Sequence, residues 1–242
     1  MYLNRKMDKD DVILTINSYA NPKKAKNLQR FFKTGKGEYA EGDIFLGLVV
    51  PIQRKIAHQF AHLTLTDVAL LLTSPIHEYR LIALFILIEQ FKKGSKEQRK
   101  AIFNLYLKNT KYINNWDLID LSAPNIVGEY LRDKDYTTLL SFAHSSMLWE
   151  RRIAMLASFA DIKGGRFDRA LSIANILVHD THDLIHKAVG WMLREMGKRG
   201  GLIDEEGFLA QYADTMPRTM LRYAIERFPE EKRRYYLNLK TN

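Results

Sequence analysis

Apolar residues recur along this chain at the three- and four-residue spacing of amphipathic helices, while polar–apolar alternation bounded by hairpin turns covers no useful length. The pattern predicts an all-α protein. Asn21-Pro22 predicts a helix running through Leu28 and Phe32, with the proline in the first turn, where its missing N–H costs nothing. Val50-Pro51 predicts the next helix in the same way, and Ser74-Pro75 precedes a long one over about residues 76–91. Ser95, followed three residues later by Gln98, forms a capping-box pattern ahead of Ile102, Leu105 and Tyr106. Gly164-Gly165 and Gly200-Gly201 mark further breaks, so the helices are expected as short antiparallel pairs joined by tight connections.

The pairs repeat. A basic residue followed by small and apolar residues recurs around Arg80, Arg152, Lys187 and Arg222, each reading as the second helix of a two-helix unit. With Trp116 standing in the second place, the spacings are 36, 36, 35 and 35 residues, just below the HEAT/armadillo length of about 40 to 47. Such repeats bury one face against their neighbours and line up their second helices, which predicts an α-solenoid of HEAT-like antiparallel helix pairs with a basic concave face. No Pro-, Gly- or Ser-rich linker divides the chain, so residues 1–242 are expected to form a single repeat domain.

Charge sharpens this picture. Lys and Arg number 37 against 28 acidic residues, a formal charge of +9, and a surface of that sign attracts polyanions, nucleic acid first. Arg80, Arg152, Lys187 and Arg222 on one wall would turn a diffuse excess into a stripe able to neutralise successive phosphates. The same residues also read as solvated members of a protein-binding ladder. The absence of cysteine excludes disulfides, thiolate metal sites and thiol nucleophiles. The first six residues lack an apolar signal core, and the apolar run at 81–88 is too short to span a bilayer. The expectation is a cytoplasmic protein with no membrane partner.

Trp116 and Asp120 stand four residues apart, on one face of a helix. A carboxylate on a phosphate-binding wall repels the ligand unless it has a task. One task is to face the cation that develops as an N-glycosidic bond breaks, with Trp116 and Trp191 against the deoxyribose and Arg152 on a phosphate. The residues equally allow Asp120 to be the structural partner of an arginine and both tryptophans to be core. His182 and His186 have metal-ligand spacing, but Thr181 and Asp183 sit where a helix start needs a cap and an acid, so no metal site is expected. The glycine pairs lack the strand and Lys-Ser/Thr ending of a phosphate loop.

The chain resembles the HEAT-like DNA alkylation repair family, the AlkD-type alkylpurine DNA glycosylases. The resemblance lies in Asn21-Pro22 with Arg30-Phe31-Phe32-Lys33, Phe45-Leu46-Gly47-Leu48 with Pro51 and Arg54, Trp116-Asp117-Leu118-Ile119-Asp120, Trp149 with Arg152, and Lys187-Ala188-Val189-Gly190-Trp191-Met192-Leu193-Arg194-Glu195. It implies excision of cationic N3- and N7-alkylated purines from double-stranded DNA, by a monomer without metal or organic cofactor. It further implies that Asp120 is the catalytic aspartate, Trp116 and Trp191 the cleft tryptophans and Arg152 the phosphate-holding arginine. Arg54, Arg80, Lys187, Arg222 and Phe31 complete the expected DNA-binding set. The resemblance also implies that the base is not turned into a pocket. At Phe31 the family pattern has a tyrosine; the ring is kept here and the hydroxyl is absent. A non-catalytic binder of damaged or branched DNA is therefore the alternative, and a HEAT-type protein scaffold the third class.

Overall fold

The computed structural model describes residues 7–239. The reading of residues 1–6 as lacking a signal core falls outside them. The chain is all-α, built of HEAT-like helix pairs, and divides into two compact units, Met1–Leu118 and Ile119–Asn242. No helix among the described residues is long and apolar enough to cross a membrane.

The first unit holds α1 (Lys9–Ser18), α2 (Pro22–Phe31), α3 (Val50–Gln59), α4 (Leu65–Leu72), α5 (His77–Lys93) and α6 (Lys96–Lys108). The division falls inside α7 (Trp116–Ala123). The second unit continues through α8 (Glu129–Leu131), α9 (Thr137–Ala143), α10 (Leu148–Ala157), α11 (Phe159–Lys163) and α12 (Asp168–Leu177) to α13 (Asp183–Lys198), α14 (Leu202–Tyr212), α15 (Arg218–Ala224) and α16 (Glu230–Asn238).

The expected starts are where the caps put them. Asn21 accepts the Lys24 N–H with Pro22 in the first turn, and Ser95 and Gln98 exchange both hydrogen bonds of a capping box. In the first unit α3 and α4 pack on α5, which is buried without interruption from His77 to Ile88. Each of its fully buried Leu and Ile side chains contributes about 2 kcal/mol, so α5 is the axis of that core. In the second unit α13 plays this part, packed by α10, α14 and α15.

Three of these helix starts share one device. The N–H groups of Ile76, Met147 and His182 donate to Ser74 Oγ, Ser145 Oγ and Asp180 Oδ1 at 3.1, 3.1 and 2.8 Å. Six residues after each of these acceptors, Arg80, Arg151 and His186 bond back to the carbonyl of Ser74, Ser145 and Asp180. Arg80 therefore corresponds to Arg151, not to Arg152. In this register the fifth residues of α5, α7, α10, α13 and α15 are Leu81, Asp120, Arg152, Lys187 and Arg222. The sequence period is one residue early at 80 and four early at 116. One residue is a rotation of about 100° around a helix, enough to carry Arg80 off the row and into the packing between helices.

Candidate nucleic-acid interface

In the first unit, three polar residues open the buried helix α5, and each is answered. Glu78, fully buried, accepts the N–H groups of Leu46, Gly47 and Leu48 at 2.9, 2.8 and 3.2 Å, which fixes the loop between α2 and α3. His77 lies between Asp43 at 3.3 Å and Asp117 at 2.8 Å, using both ring nitrogens. Burial pulls the His77 pKa down, but the charge of Asp117 and the hydrogen bonds to Asp117 and Asp43 outweigh it and raise it to about 8. Arg80, 3% exposed, pairs with Asp43 at 2.7 Å and donates to the Ser74 carbonyl. Expected on a phosphate-binding stripe, Arg80 is instead an internal ion-pair partner, because the register turns it inward.

Above this cluster stands an aromatic group. Trp116 stacks on Phe32 with centroids 5.2 Å apart, and Phe32 stacks on Phe45 at 5.0 Å. Phe31, 63% exposed, sets its edge toward Trp116 at 6.1 Å. The Trp116 indole N–H donates to the Tyr39 hydroxyl at 3.2 Å. A phenol missing at position 31 is thus present beside the tryptophan at position 39. Next to the group lies a cavity of about 360 Å³, lined on its apolar side by Phe31, Phe32, Phe45, Leu48 and Val50 and on its polar side by His77 and Asp117. Gly47 closes one wall at φ +91°, where a Cβ would come within 2.3 Å of the Asn21 carbonyl oxygen, so only glycine lets the loop dock on the start of α2.

In the second unit, the fifth residues of α7, α10, α13 and α15 share one register. Arg152, 4% exposed, donates from Nε and Nη2 to the two carboxylate oxygens of Asp120 at 2.9 and 2.8 Å, and from Nη1 to the Leu184 carbonyl. This two-pronged pair holds the carboxylate in one orientation. Lys187 follows, half-buried and paired with Asp183 at 2.6 Å; that hydrogen bond raises its pKa against the effect of burial. Arg222 is exposed. Trp191 stands one turn after Lys187 on α13, half-buried, its ring 6.2 Å from Phe159. Asp120 and Arg152 are thus in contact, and Lys187 and Arg222 hold the same position on their own helices, with Trp191 on the same helical face as Lys187.

The remaining expectations fall outside these groups. Arg54 is exposed on α3 with its guanidinium 4.2 Å from the Phe85 ring centroid. His182 caps α13 by accepting the Leu184 N–H, and His186 bonds the Asp180 carbonyl, so each of these histidines has a structural task. Sequence reasoning missed His77 and its carboxylates, since Asp43, His77 and Asp117 stand 34 and 40 residues apart with no local pattern. It also missed the bond from Arg or His back to the start of its own helix, for which a signal exists: Ser or Asp followed six residues later by Arg or His.

The family model described as "DNA alkylation repair enzyme" matches residues 12–228. Among solved structures, a chain described as "Predicted DNA alkylation repair enzyme from Enterococcus faecalis" is 16% identical with a TM-score of 0.66, covering 87% of this chain and 97% of that one. At that identity the likeness is one of fold. No curated protein matches the chain.

Proposed function

Because the chain belongs to the DNA alkylation repair enzyme family, we propose that it is a DNA glycosylase that releases cationic N3- and N7-alkylated purines from double-stranded DNA. The positive charge of such a base already makes it a leaving group, so acid catalysis is dispensable. What the protein adds is an anion for the sugar, which gains oxocarbenium character as the glycosidic bond lengthens. Asp120 has that role, and water completes hydrolysis at C1′.

The observation that carries the reading is the row of the second unit. A carboxylate shares its register with three cations, and Arg152 holds it by both oxygens. Pairing keeps the carboxylate oriented while cancelling its repulsion of phosphate at a distance. Within the second unit, Lys187 and Arg222 then take phosphates and Trp191 offers ring surface to the sugar. The single-domain reading, residues 1–242, belongs with this proposal, since the division between units falls inside one helix. So do a monomeric state and a mechanism without metal or organic cofactor.

The test is release of 7-methylguanine from a methylated duplex under single-turnover conditions, by wild type and Asp120→Asn, with DNA binding followed in parallel. Wild-type release with a variant that binds and does not release supports the reading; tight binding by both without release by either overturns it. That second result is the signature of the alternative, a non-catalytic binder of damaged or branched DNA, which the exposed ring of Phe31 without its hydroxyl favours.

A further inference from the structure

Between α2 and α3 of the first unit the chain runs without a helix over residues 32–49, yet it is closely tied. The Ala40 N–H donates to the Lys33 carbonyl at 3.2 Å, and the carboxylates of Glu38 and Glu41 accept the Gly35 and Gly37 N–H groups, each at 2.8 Å. Lys33, Gly37 and Gly42 turn the backbone at φ +53°, +79° and +84°. Ala40 is buried, and Asp43 is held by His77 and Arg80. The loop is thus closed on itself and pinned at its far end, and Tyr39, next to the buried Ala40, is set by that frame. Its hydroxyl meets Trp116.

Phe32 stacks on the Trp116 ring with centroids 5.2 Å and planes 23° apart, and Phe32 rests in turn on Phe45 and His77 at 5.0 and 5.2 Å. Such a stack fixes the plane of an indole but not its direction. The torsion that turns the ring is broad and roughly two-fold, so the ring can turn over within the stack. The bond from the Trp116 indole N–H to the Tyr39 hydroxyl at 3.2 Å removes that freedom, because only one orientation aims the N–H at the oxygen. We infer that Tyr39 is a positioning residue of the DNA interface: it selects the orientation in which half-buried Trp116 offers the rest of its ring to the sugar of bound DNA. The inference rests on the proposed function only in taking DNA as the partner. Tyr39 acts through the indole, not on the DNA. A ring held beforehand in one orientation has no ordering cost on contact, whereas a ring divided between orientations binds only with its competent fraction.

The test uses the full chain with a duplex carrying one tetrahydrofuran abasic-site analogue, whose sugar is bare for ring contact, and with the same duplex intact. By anisotropy, Tyr39→Phe is expected to weaken binding of the analogue duplex about fivefold, the order of one net hydrogen bond. Intact duplex, held by phosphate contacts, is expected to lose less than about twofold. In a Trp116→Phe background the same substitution is expected to cost less than about twofold on the analogue duplex. The indole N–H resonance absent from Trp116→Phe identifies Trp116 by NMR; Tyr39→Phe is expected to move it and to leave those of Trp149 and Trp191 in place. Tyr39 and Trp116 are both half-buried, so water replaces the lost partner and Tyr39→Phe keeps its fold. A loss as large in the Trp116→Phe background overturns the inference, since Tyr39 would then act otherwise than through the ring. An equal loss on both duplexes, no loss on either, or an unmoved indole resonance also overturns it. If Trp116→Phe lacks native helicity, the two duplexes decide with the one indole resonance that Tyr39→Phe moves. Base release is not read, so tight binding without release sinks the glycosylase reading alone; a wild type that binds no DNA sinks both.

Discussion

The pairing of Asp120 with Arg152 makes the obvious catalytic variant ambiguous, and a double-mutant cycle removes the ambiguity. Arg152 is 4% exposed and gives two of its hydrogen bonds to Asp120. Asp120→Asn keeps one acceptor for Nε but sets an amide N–H₂ or a lost charge against Nη2, leaving a buried guanidinium uncompensated. That costs about 3 kcal/mol, the lower end for a broken buried pair. Arg152→Met strands a carboxylate whose side chain is 14% exposed, at about 2 kcal/mol. The double variant removes both charges, so its loss should fall short of the sum by about 2 kcal/mol, read from urea unfolding. Single-turnover base release separates the roles. If Asp120 is the anion of the reaction, Asp120→Asn loses about 10²- to 10³-fold and the double variant, though re-stabilised, stays inactive. Recovery of activity in the double variant would refute the argument and reduce Asp120 to a structural partner.

Three further outcomes follow from buried groups. Glu205, 2% exposed beside Gly197 and Glu206, has its pKa raised to about 8 by burial and then by the charge of Glu206. Its folded value exceeds its unfolded one, so stability falls as pH rises from about 4.5 to 8. Glu205→Gln should therefore gain about 3 kcal/mol at pH 7 and nothing near pH 4.5; a gain equal at both, by urea melts, refutes it. His77, also raised to about 8, has the histidine sign: its contribution is complete below about 6.5 and lost as pH rises through 8, about 2 kcal/mol in all. An NMR titration of its ring protons with a midpoint below 7 would contradict this. Gly47→Ala, at φ +91° and against the Asn21 carbonyl, should cost about 3 kcal/mol and loosen the loop that walls the cavity; a melting temperature within a degree of wild type would refute that.

What the sequence made legible was whatever is local. The caps at Asn21 and Ser95 and the glycine breaks are short-range patterns, and the structure follows them. The repeat was legible where consecutive helices begin at equal intervals: positions 152, 187 and 222 are each the fifth residue of their helix. It slipped at Arg80 because that single arginine can be matched to either of the adjacent Arg151 and Arg152, each of which reads as a basic residue before an apolar run. Only the bond from Arg80 to the carbonyl six residues earlier, matched by Arg151 to Ser145, decides between them. It slipped at Trp116 because the member of the row there is an acid, Asp120, and a search for cations passes over it. The cavity and the His77 cluster were illegible for another reason: their members come from α2, the following loop, α5 and α7, joined by no sequence interval.

The corrected register changes what the acidic residue means. Read from charge alone, Asp120 is an intruder on a basic wall. Read by position, it occupies the place that Arg152, Lys187 and Arg222 occupy in the following repeats, so the row begins with an anion and continues with cations. Each phosphate neutralised by such a row releases counterions and steepens the dependence of binding on salt. Arg152, committed to Asp120 by two hydrogen bonds, should add little to that slope, whereas Lys187 and Arg222 should each add about one unit. Comparing the salt slopes of Arg152→Met, Lys187→Met and Arg222→Met by anisotropy therefore measures which cations hold phosphate and which holds the carboxylate. A slope reduced as much by Arg152→Met as by the other two would mean that the guanidinium exchanges Asp120 for phosphate when DNA binds. The carboxylate would then be freed for the sugar at that same moment, and the pair would be a latch opened by the substrate.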